Sequence, residues 1–371
     1  MSNSTDLSRA EELTEQLLSG NRRALSRAIS LVEADTPVGR LISGLVYPHT
    51  GNAQIVGITG SAGAGKSTLV GSIAREERKR DRSIGIIAVD PSSPFSHGAI
   101  LGDRIRMQDL TSDSGVFLRS MASRGNLGGL SETATAVSDL LDAANFDVVL
   151  IETVGAGQDE VEVANAAGTT VLVANPGAGD DVQSMKAGLM EVAQIMVVNK
   201  ADLAGADTAV AQLRSLLAIA NLGAWKPPIL KTIASSGDGV SELVDQMDEH
   251  QKFITVSDHA NQERIDHAQR QILALARAVM HRQTLAEAAD NVSLDTLTSQ
   301  VAVRSKDPRS AAIELVEAST HTISRGGGWR GAQCEIILEP EQMGEPGGDD
   351  GDMSGMPPLE MNDPSSPSDS M

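Results

Sequence analysis

The sequence predicts an α/β fold in which a doubly wound, mostly parallel sheet carries helical extensions at its N- and C-terminal ends. Seven short apolar runs, rich in β-branched residues, alternate with helical patterns between residues 54 and 233. Such runs indicate strands that are buried on both faces, as parallel sheets require. Hydrophobic residues form 40% of the chain but aromatic residues only 2%, so we expect a mainly aliphatic core.

The predicted strands lie at residues 55–59, 84–89, 116–118, 148–151, 170–173, 195–198 and 229–233. Apolar residues at helical spacing flank them in residues 6–48 and 239–320. We therefore divide the chain into an N-terminal helical extension (1–50), an α/β domain (51–255), a C-terminal helical region (256–324) and a tail (325–371). The tail is rich in Gly, Pro, Asp and Ser, and we expect it to be disordered.

Charge and composition exclude several classes of function. The formal net charge is −20, and residues 331–371 contribute ten acidic and no basic residues, which leaves −10 for the remaining 330 residues. No basic face for nucleic acid is evident, and no apolar run approaches the ~20 residues that span a bilayer. Cys334 is the only cysteine, so no internal disulfide can form and a cytoplasmic location is expected.

The most specific motif follows the first predicted strand and matches GxxxxGK followed by Ser or Thr. Its glycines allow a tight turn in which successive backbone N–H groups point at phosphate oxygens. Lys66 is expected to reach the β- and γ-phosphates, and the Ser67 hydroxyl to bind Mg²⁺. The motif predicts a P-loop nucleoside-triphosphate site. Its expected contacts are Gly60, Ser61, Ala62, Gly63, Ala64, Gly65, Lys66, Ser67 and Thr68.

A second motif, Asn199-Lys200-Ala201-Asp202, comes directly after the sixth predicted strand. The Asp202 carboxylate can accept from both N1–H and N2–H₂ of guanine, a pair of donors that adenine lacks. Such a site discriminates strongly, because the wrong base leaves a polar group unpaired. The Lys200 stem can cover the face of the base. This motif predicts that the nucleotide is GTP or GDP.

Acidic residues at other strand ends are candidates for the metal and the switch regions. Glu152 begins Glu152-Thr153-Val154-Gly155 after the fourth predicted strand, where a carboxylate can hold Mg²⁺ directly or through water. Asp90 and Asp103 lie in hydroxyl-rich segments between the second and third strands, and each could instead be a helix cap. The predicted metal set is therefore Ser67, Asp90, Asp103 and Glu152. The seven histidines show no metal-ligand spacing.

The chain resembles the MeaB/ArgK GTPases over roughly residues 15–320. The resemblance rests on the two motifs above and on several further stretches in the same order. These are Val89-Asp90-Pro91-Ser92-Ser93, Gly102-Asp103-Arg104, Gly125-Asn126-Leu127-Gly128-Gly129, Glu152 to Gln158, Pro176 to Gln183, and Asp307-Pro308-Arg309-Ser310.

The resemblance implies a GTPase chaperone that gates cofactor loading and protection of an adenosylcobalamin-dependent acyl-CoA mutase, most often methylmalonyl-CoA mutase. It implies a homodimer, slow hydrolysis without the partner, and switch segments that contain Asp90 and Asp103, residues 153–160, and residues 176–186. Ala156 stands where a water-orienting Gln often follows the glycine, so Gln158 is the candidate for that role. Ala234 is expected to offer its N–H to guanine O6. The catalytic set is then Lys66, Asp103, Glu152 and Gln158.

Other hypotheses remain open from sequence. The first is an ATP-using kinase or ATPase linked to amino-acid transport, a label that this family has also carried, although Asn199 and Asp202 favour guanine. The second is a nickel-delivery GTPase, which would need Cys and His residues at metal-ligand spacing, and this sequence lacks them. The third is a nucleotide-gated binding module without significant turnover.

Overall fold

The computed structural model describes residues 2–91, 108–123, 129–153, 166–176, 192–219, 223–256 and 293–325. Between 256 and 293 it also describes residues 262, 265, 268–273, 275–277, 279 and 280, all of them helical. All but the first residue of the predicted acidic tail (325–371) lie outside the described residues, and that first residue, Arg325, ends a helix.

Seven strands form a single sheet, and every pairing between them is parallel. The strands are β1 (Gln54–Gly60), β2 (Ile84–Pro91), β3 (Val116–Ser123), β4 (Val148–Thr153), β5 (Thr169–Ala174), β6 (Ile195–Asn199) and β7 (Ile229–Thr232). Their order across the sheet is β3-β2-β4-β1-β5-β6-β7, which places β1 at the centre. The predicted α/β fold and all seven predicted strands are confirmed.

Helices cover both faces of the sheet. The α-helices of the described ranges, not all of which lie on the sheet, are α1 (Ser2–Leu18), α2 (Arg22–Glu33), α3 (Pro37–Val46), α4 (Lys66–Lys79), α5 (Gln108–Thr111), α6 (Gly129–Ala143), α7 (Ala206–Ile219), α8 (Val240–Val256), α9 (Ser293–Ala302) and α10 (Pro308–Arg325). None of the helices in the described ranges is long and apolar enough to cross a membrane.

Successive side chains along each strand point to opposite faces of the sheet, so the core is divided into two layers. In β4, Val148 and Leu150 pack with α4 and α8. Val149 and Ile151 face the opposite way and pack with α1, α2, α3 and α6. On that second face, α7 covers β5 and β6. The strands read as continuous apolar runs because both of their faces are buried.

The N-terminal helices share the core of the sheet. Helices α2 and α3 begin at side-chain caps: Asn21 Oδ1 accepts from the N–H of Arg23, and Thr36 Oγ1 accepts from the N–H of Gly39. Their buried leucines and isoleucines join the same apolar cluster as β2, β3 and β4. A buried carboxylate, Asp142 of α6, then accepts from three N–H groups of the linker before β1, at residues 51–53.

Candidate nucleotide-binding site

The turn between β1 and α4 has the backbone conformation that its glycines permit. Gly60, Gly63 and Gly65 have φ angles of 137°, 75° and 90°, values that side chains with a Cβ rarely adopt. A Cβ at Gly60 would also collide with the Val173 carbonyl oxygen of β5. The loop therefore passes close to its neighbouring strand before the chain enters α4.

The start of α4 is built to receive an anion. Gly65 precedes the helix, and no side chain caps it. The first N–H groups of a helix have no acceptor within it, so those of Lys66, Ser67 and Thr68 can point at phosphate oxygens. The buried Lys66 Nζ donates to the carbonyl oxygens of Gly60 at 2.7 Å and Ser61 at 3.0 Å. The ammonium group thus lies over the loop, and its predicted contact with the β- and γ-phosphates stays a prediction.

Ser67 and Glu152 meet at the ends of adjacent elements. The Ser67 hydroxyl donates to Glu152 Oε1 at 2.5 Å. Glu152 is buried near the end of β4, which pairs with β1 in a register that aligns Glu152 with Ile58. Hydroxyl and carboxylate oxygens are ligands that Mg²⁺ accepts, and Mg²⁺ usually takes only one or two protein ligands besides water and phosphate. This pair fits such a site, although the described residues contain no cluster of three His, Cys, Asp or Glu side chains suited to a metal.

Asn199 connects the phosphate loop to the loop after β7. Its side chain is buried, and Nδ2 donates to the Ala64 carbonyl oxygen at 2.8 Å. Asn199 Oδ1 accepts from Thr232 Oγ1 and from the Ala234 N–H, both at 3.1 Å. The Asn199 amide therefore joins the phosphate loop to the loop after β7 through three hydrogen bonds.

Lys200 and Asp202 continue the second motif. Lys200 has a φ of 56°, and its Nζ donates to the Gly63 carbonyl oxygen at 2.8 Å, so its stem lies along the phosphate loop. Asp202 is exposed two residues later. The structure thus brings the two predicted motifs into contact, with the Asp202 carboxylate open to solvent beside them.

The loop after β7 contains Ala234, whose contact with guanine O6 stays a prediction. Its N–H already has an acceptor in Asn199 Oδ1, whereas its carbonyl oxygen accepts from the buried Ser72 hydroxyl at 2.6 Å. The N–H of the exposed Ser235 has no acceptor among the described residues. Neither serine could be found from the sequence, because no local pattern links Ser72 in α4 to a residue 162 positions away.

The predicted switch residues are only partly described. Asp90 lies at the end of β2, where its backbone pairs with Ala122 of β3. The same end of β2 is aligned with the end of β4, since Val89 pairs with Thr153. The strand ends therefore bring Asp90 to the same edge as Glu152. Asp103 and Gln158 lie outside the described residues, as do residues 177–191.

Known proteins share this fold and these motifs. A family model described as methylmalonyl-CoA mutase-associated GTPase MeaB matches residues 25–289. A provisionally named GTPase from Pyrococcus horikoshii is 45% identical over 312 residues, covering 83% of this chain and 97% of that protein. GTPase ArgK from Escherichia coli is 34% identical over 320 residues, covering 82% and 95%.

A mitochondrial protein of Mus musculus, the methylmalonic aciduria type A homolog, is 32% identical over 266 residues, covering 67% of this chain and 64% of that protein. Among solved structures, a LAO/AO transport system kinase has a TM-score of 0.64 at 27% identity, covering 84% of this chain and 98% of that one. The family model spans more than half of the sequence and includes both nucleotide motifs. The chain therefore belongs to the MeaB family of methylmalonyl-CoA mutase-associated GTPases.

Proposed function

We propose that this chain is a Mg²⁺-dependent GTPase that acts as a chaperone, gating cofactor loading and protection of an adenosylcobalamin-dependent acyl-CoA mutase. Methylmalonyl-CoA mutase is the first candidate partner, because the family description names it. The observation that carries the nucleotide part is the contact between the two motifs, Asn199 Nδ2 to the Ala64 carbonyl oxygen, with Asp202 exposed beside it.

Each proposed group has a defined task in GTP hydrolysis. Ser67 and Glu152 would hold Mg²⁺, with Asp90 and Asp103 as further candidates in its surroundings. Bound Mg²⁺ would neutralise charge on the β- and γ-phosphates. Lys66 would exchange its two carbonyl acceptors for phosphate oxygens. Gln158 stays our candidate for orienting the attacking water.

The base specificity can be tested by a substitution at Asp202. Asp202→Asn replaces an acceptor-only carboxylate with an amide that also donates, so affinity for GDP should fall about tenfold to a hundredfold. Affinity for the xanthine nucleotide should rise, because xanthine has an acceptor oxygen at position 2. Isothermal titration with GDP, XDP and ADP measures all three affinities.

Further measurements distinguish a wrong guanine assignment from a wrong role for Asp202. Lys66→Ala should abolish the binding of GDP, XDP and ADP, since it removes a phosphate contact that is independent of the base. If wild-type protein binds ADP as tightly as GDP, the guanine assignment fails. Unchanged GDP preference in Asp202→Asn would reject the role of Asp202 alone.

The partner can be tested with purified methylmalonyl-CoA mutase. The steady-state rate of GTP hydrolysis should rise when the mutase is added, and Lys66→Ala should abolish the activity with or without it. Single-turnover measurements of GTP cleavage then test the alternative of a binding module without turnover. A complex that forms without any cleavage of bound GTP would favour that alternative.

An ATP-using kinase is the second candidate activity, because a similar solved structure carries the name of a transport system kinase. The Asn199–Asp202 motif argues for guanine instead. A nucleotide panel decides between them: hydrolysis of ATP at least as fast as that of GTP would favour the kinase.

We also propose that residues 256–324 form the surface of a homodimer. Several apolar side chains in this region are largely exposed, among them Ile265 at 52%, Ile272 at 65% and Val303 at 74%. Contiguous exposed apolar surface is typical of an interaction site, and these side chains are the candidates for one in this region.

A further inference from the structure

We propose that Ser72 is a positioning residue for guanine recognition, which orients the Ala234–Ser235 peptide group so that the Ser235 N–H donates to O6 of the base. The inference rests on the proposed guanine specificity. Ser72 lies in α4, about one and a half turns after Lys66, and its side chain is buried. Its hydroxyl donates to the Ala234 carbonyl oxygen at 2.6 Å.

The orientation of Ser235 follows from peptide geometry. The described part of the chain has no cis peptide bond, and the peptide group is planar. In a trans peptide the carbonyl and the following N–H point in opposite directions. Because the Ala234 carbonyl points at α4, the Ser235 N–H points away from that helix. It has no acceptor among the described residues, and Ser235 is exposed.

The Ala234 N–H already has an acceptor within the protein. It donates to Asn199 Oδ1, which also accepts from Thr232 Oγ1. The two peptide groups on either side of Ala234 are thus held from opposite directions, one by Asn199 and one by Ser72. The Ser235 N–H is the remaining donor of this turn, because the N–H groups of Ser236 and Gly237 both donate to the Ile233 carbonyl oxygen.

Ser72 also closes a ring of contacts with the phosphate site. Ser72 Oγ donates to the Ala234 carbonyl oxygen, the Ala234 N–H donates to Asn199, and Asn199 donates to the Ala64 carbonyl oxygen of the loop that precedes α4. These contacts hold the Ser235 N–H, the proposed donor to O6, in a fixed position relative to α4, the helix that begins at Lys66. Such pre-ordering lowers the cost of binding a base, since the loop loses less freedom on contact.

The test compares three diphosphates in wild type and Ser72→Ala. GDP and IDP both carry O6, whereas 6-thio-GDP replaces it with a weaker acceptor and keeps N1–H and the 2-amino group. Ser72→Ala should lower the affinity for GDP and for IDP about threefold to tenfold, as expected for one oriented hydrogen bond. It should lower the affinity for 6-thio-GDP less than about twofold. Isothermal titration measures the three affinities.

Ser138→Ala is the matched control. Ser138 is a buried helical serine whose hydroxyl also donates to a backbone carbonyl, that of Ala134, on the opposite face of the sheet. It should leave all three affinities unchanged. If Ser72→Ala does not fold, Ser72→Cys is nearly isosteric with a weak S–H donor and should give the same pattern.

Equal weakening of all three diphosphates would overturn the proposal, because a merely loosened site does not sense the atom at position 6. Unchanged affinities would overturn it as well. Failure of the guanine assignment looks different, since wild-type protein would then show no preference for GDP over ADP.

Discussion

The helices at the two ends of the chain have similar apolar patterns but different surroundings. In α1–α3 the residues Leu17, Leu25, Ile29 and Ile42 are fully buried in one cluster with the sheet. In the C-terminal region, Ile265, Ile272 and Val303 are more than half exposed. Apolar periodicity therefore predicts a helix at both ends, but it does not tell whether the partner surface belongs to the same chain.

Polar contacts strengthen this difference. Arg22 of α2 donates to the carbonyl oxygens of Ser114 and Val116, and its guanidinium lies 5.7 Å from the centroid of the Phe117 ring. Glu33 forms an ion pair with Arg119 of β3. Helix α2 thus covers an edge strand, whose unpaired backbone groups would otherwise invite pairing with another chain. The N-terminal extension is a structural part of the α/β domain.

The largest loss of stability should come from a substitution in the buried N-terminal helices. Ile29→Ala removes a fully buried side chain from α2 and should lower the free energy of unfolding by about 2–5 kcal/mol. Ile272→Ala removes an exposed side chain and should change it by less than about 0.5 kcal/mol. Denaturant unfolding measures both variants at a low protein concentration. Equal losses would mean that the two ends do not differ in packing.

A second prediction concerns α8, which packs on the sheet. Its His250 is buried, with the ring 4.8 Å from the Trp225 ring centroid and Nδ1 2.8 Å from Thr169 Oγ1. Burial lowers the pKa of His250 from 6.5 to about 4. The unfolded chain therefore binds a proton at a higher pH than the folded one does. Stability from this residue is complete above pH 6.5 and is lost as the pH falls toward 4.

The loss should amount to about 3 kcal/mol over that interval, which follows from the size of the shift. His250→Gln keeps a polar partner for Thr169 but does not titrate, so its stability should depend less steeply on pH between 6.5 and 4. Urea unfolding at several pH values measures the difference between the two curves. Parallel curves would show that His250 does not anchor α8 in its neutral form.

The sequence predicts those features that depend on local patterns. The seven strands and the flanking helices follow from apolar periodicity, and the positions of the two nucleotide motifs follow from their places at strand ends. The contacts of Ser72 with Ala234 and of Arg22 with β3 were not predictable. They join residues 162 and more than 90 positions apart, and each depends on how two elements pack. Single polar residues in a helix carry no signal for such partners.

The smallest effect on folding stability should come from substitutions of exposed apolar residues in the C-terminal region. Ile272→Ser and Val303→Ser should each change the free energy of unfolding by less than about 0.5 kcal/mol, because both side chains already contact water. If residues 256–324 form a homodimer surface, the same changes should weaken self-association, since burying an apolar side chain contributes about 1.5–3 kcal/mol. Sedimentation equilibrium over a range of protein concentrations measures the dimer constant.

Leu7→Ser is the matched control, since Leu7 is an exposed apolar residue on α1 in the N-terminal extension. It should leave both stability and self-association unchanged. A dimer constant that falls as much for Leu7→Ser as for Ile272→Ser would place the contact elsewhere, and a constant unchanged in all three variants would reject the C-terminal surface. Weakening confined to Ile272→Ser and Val303→Ser would show that one end of the chain completes the fold and the other completes an assembly.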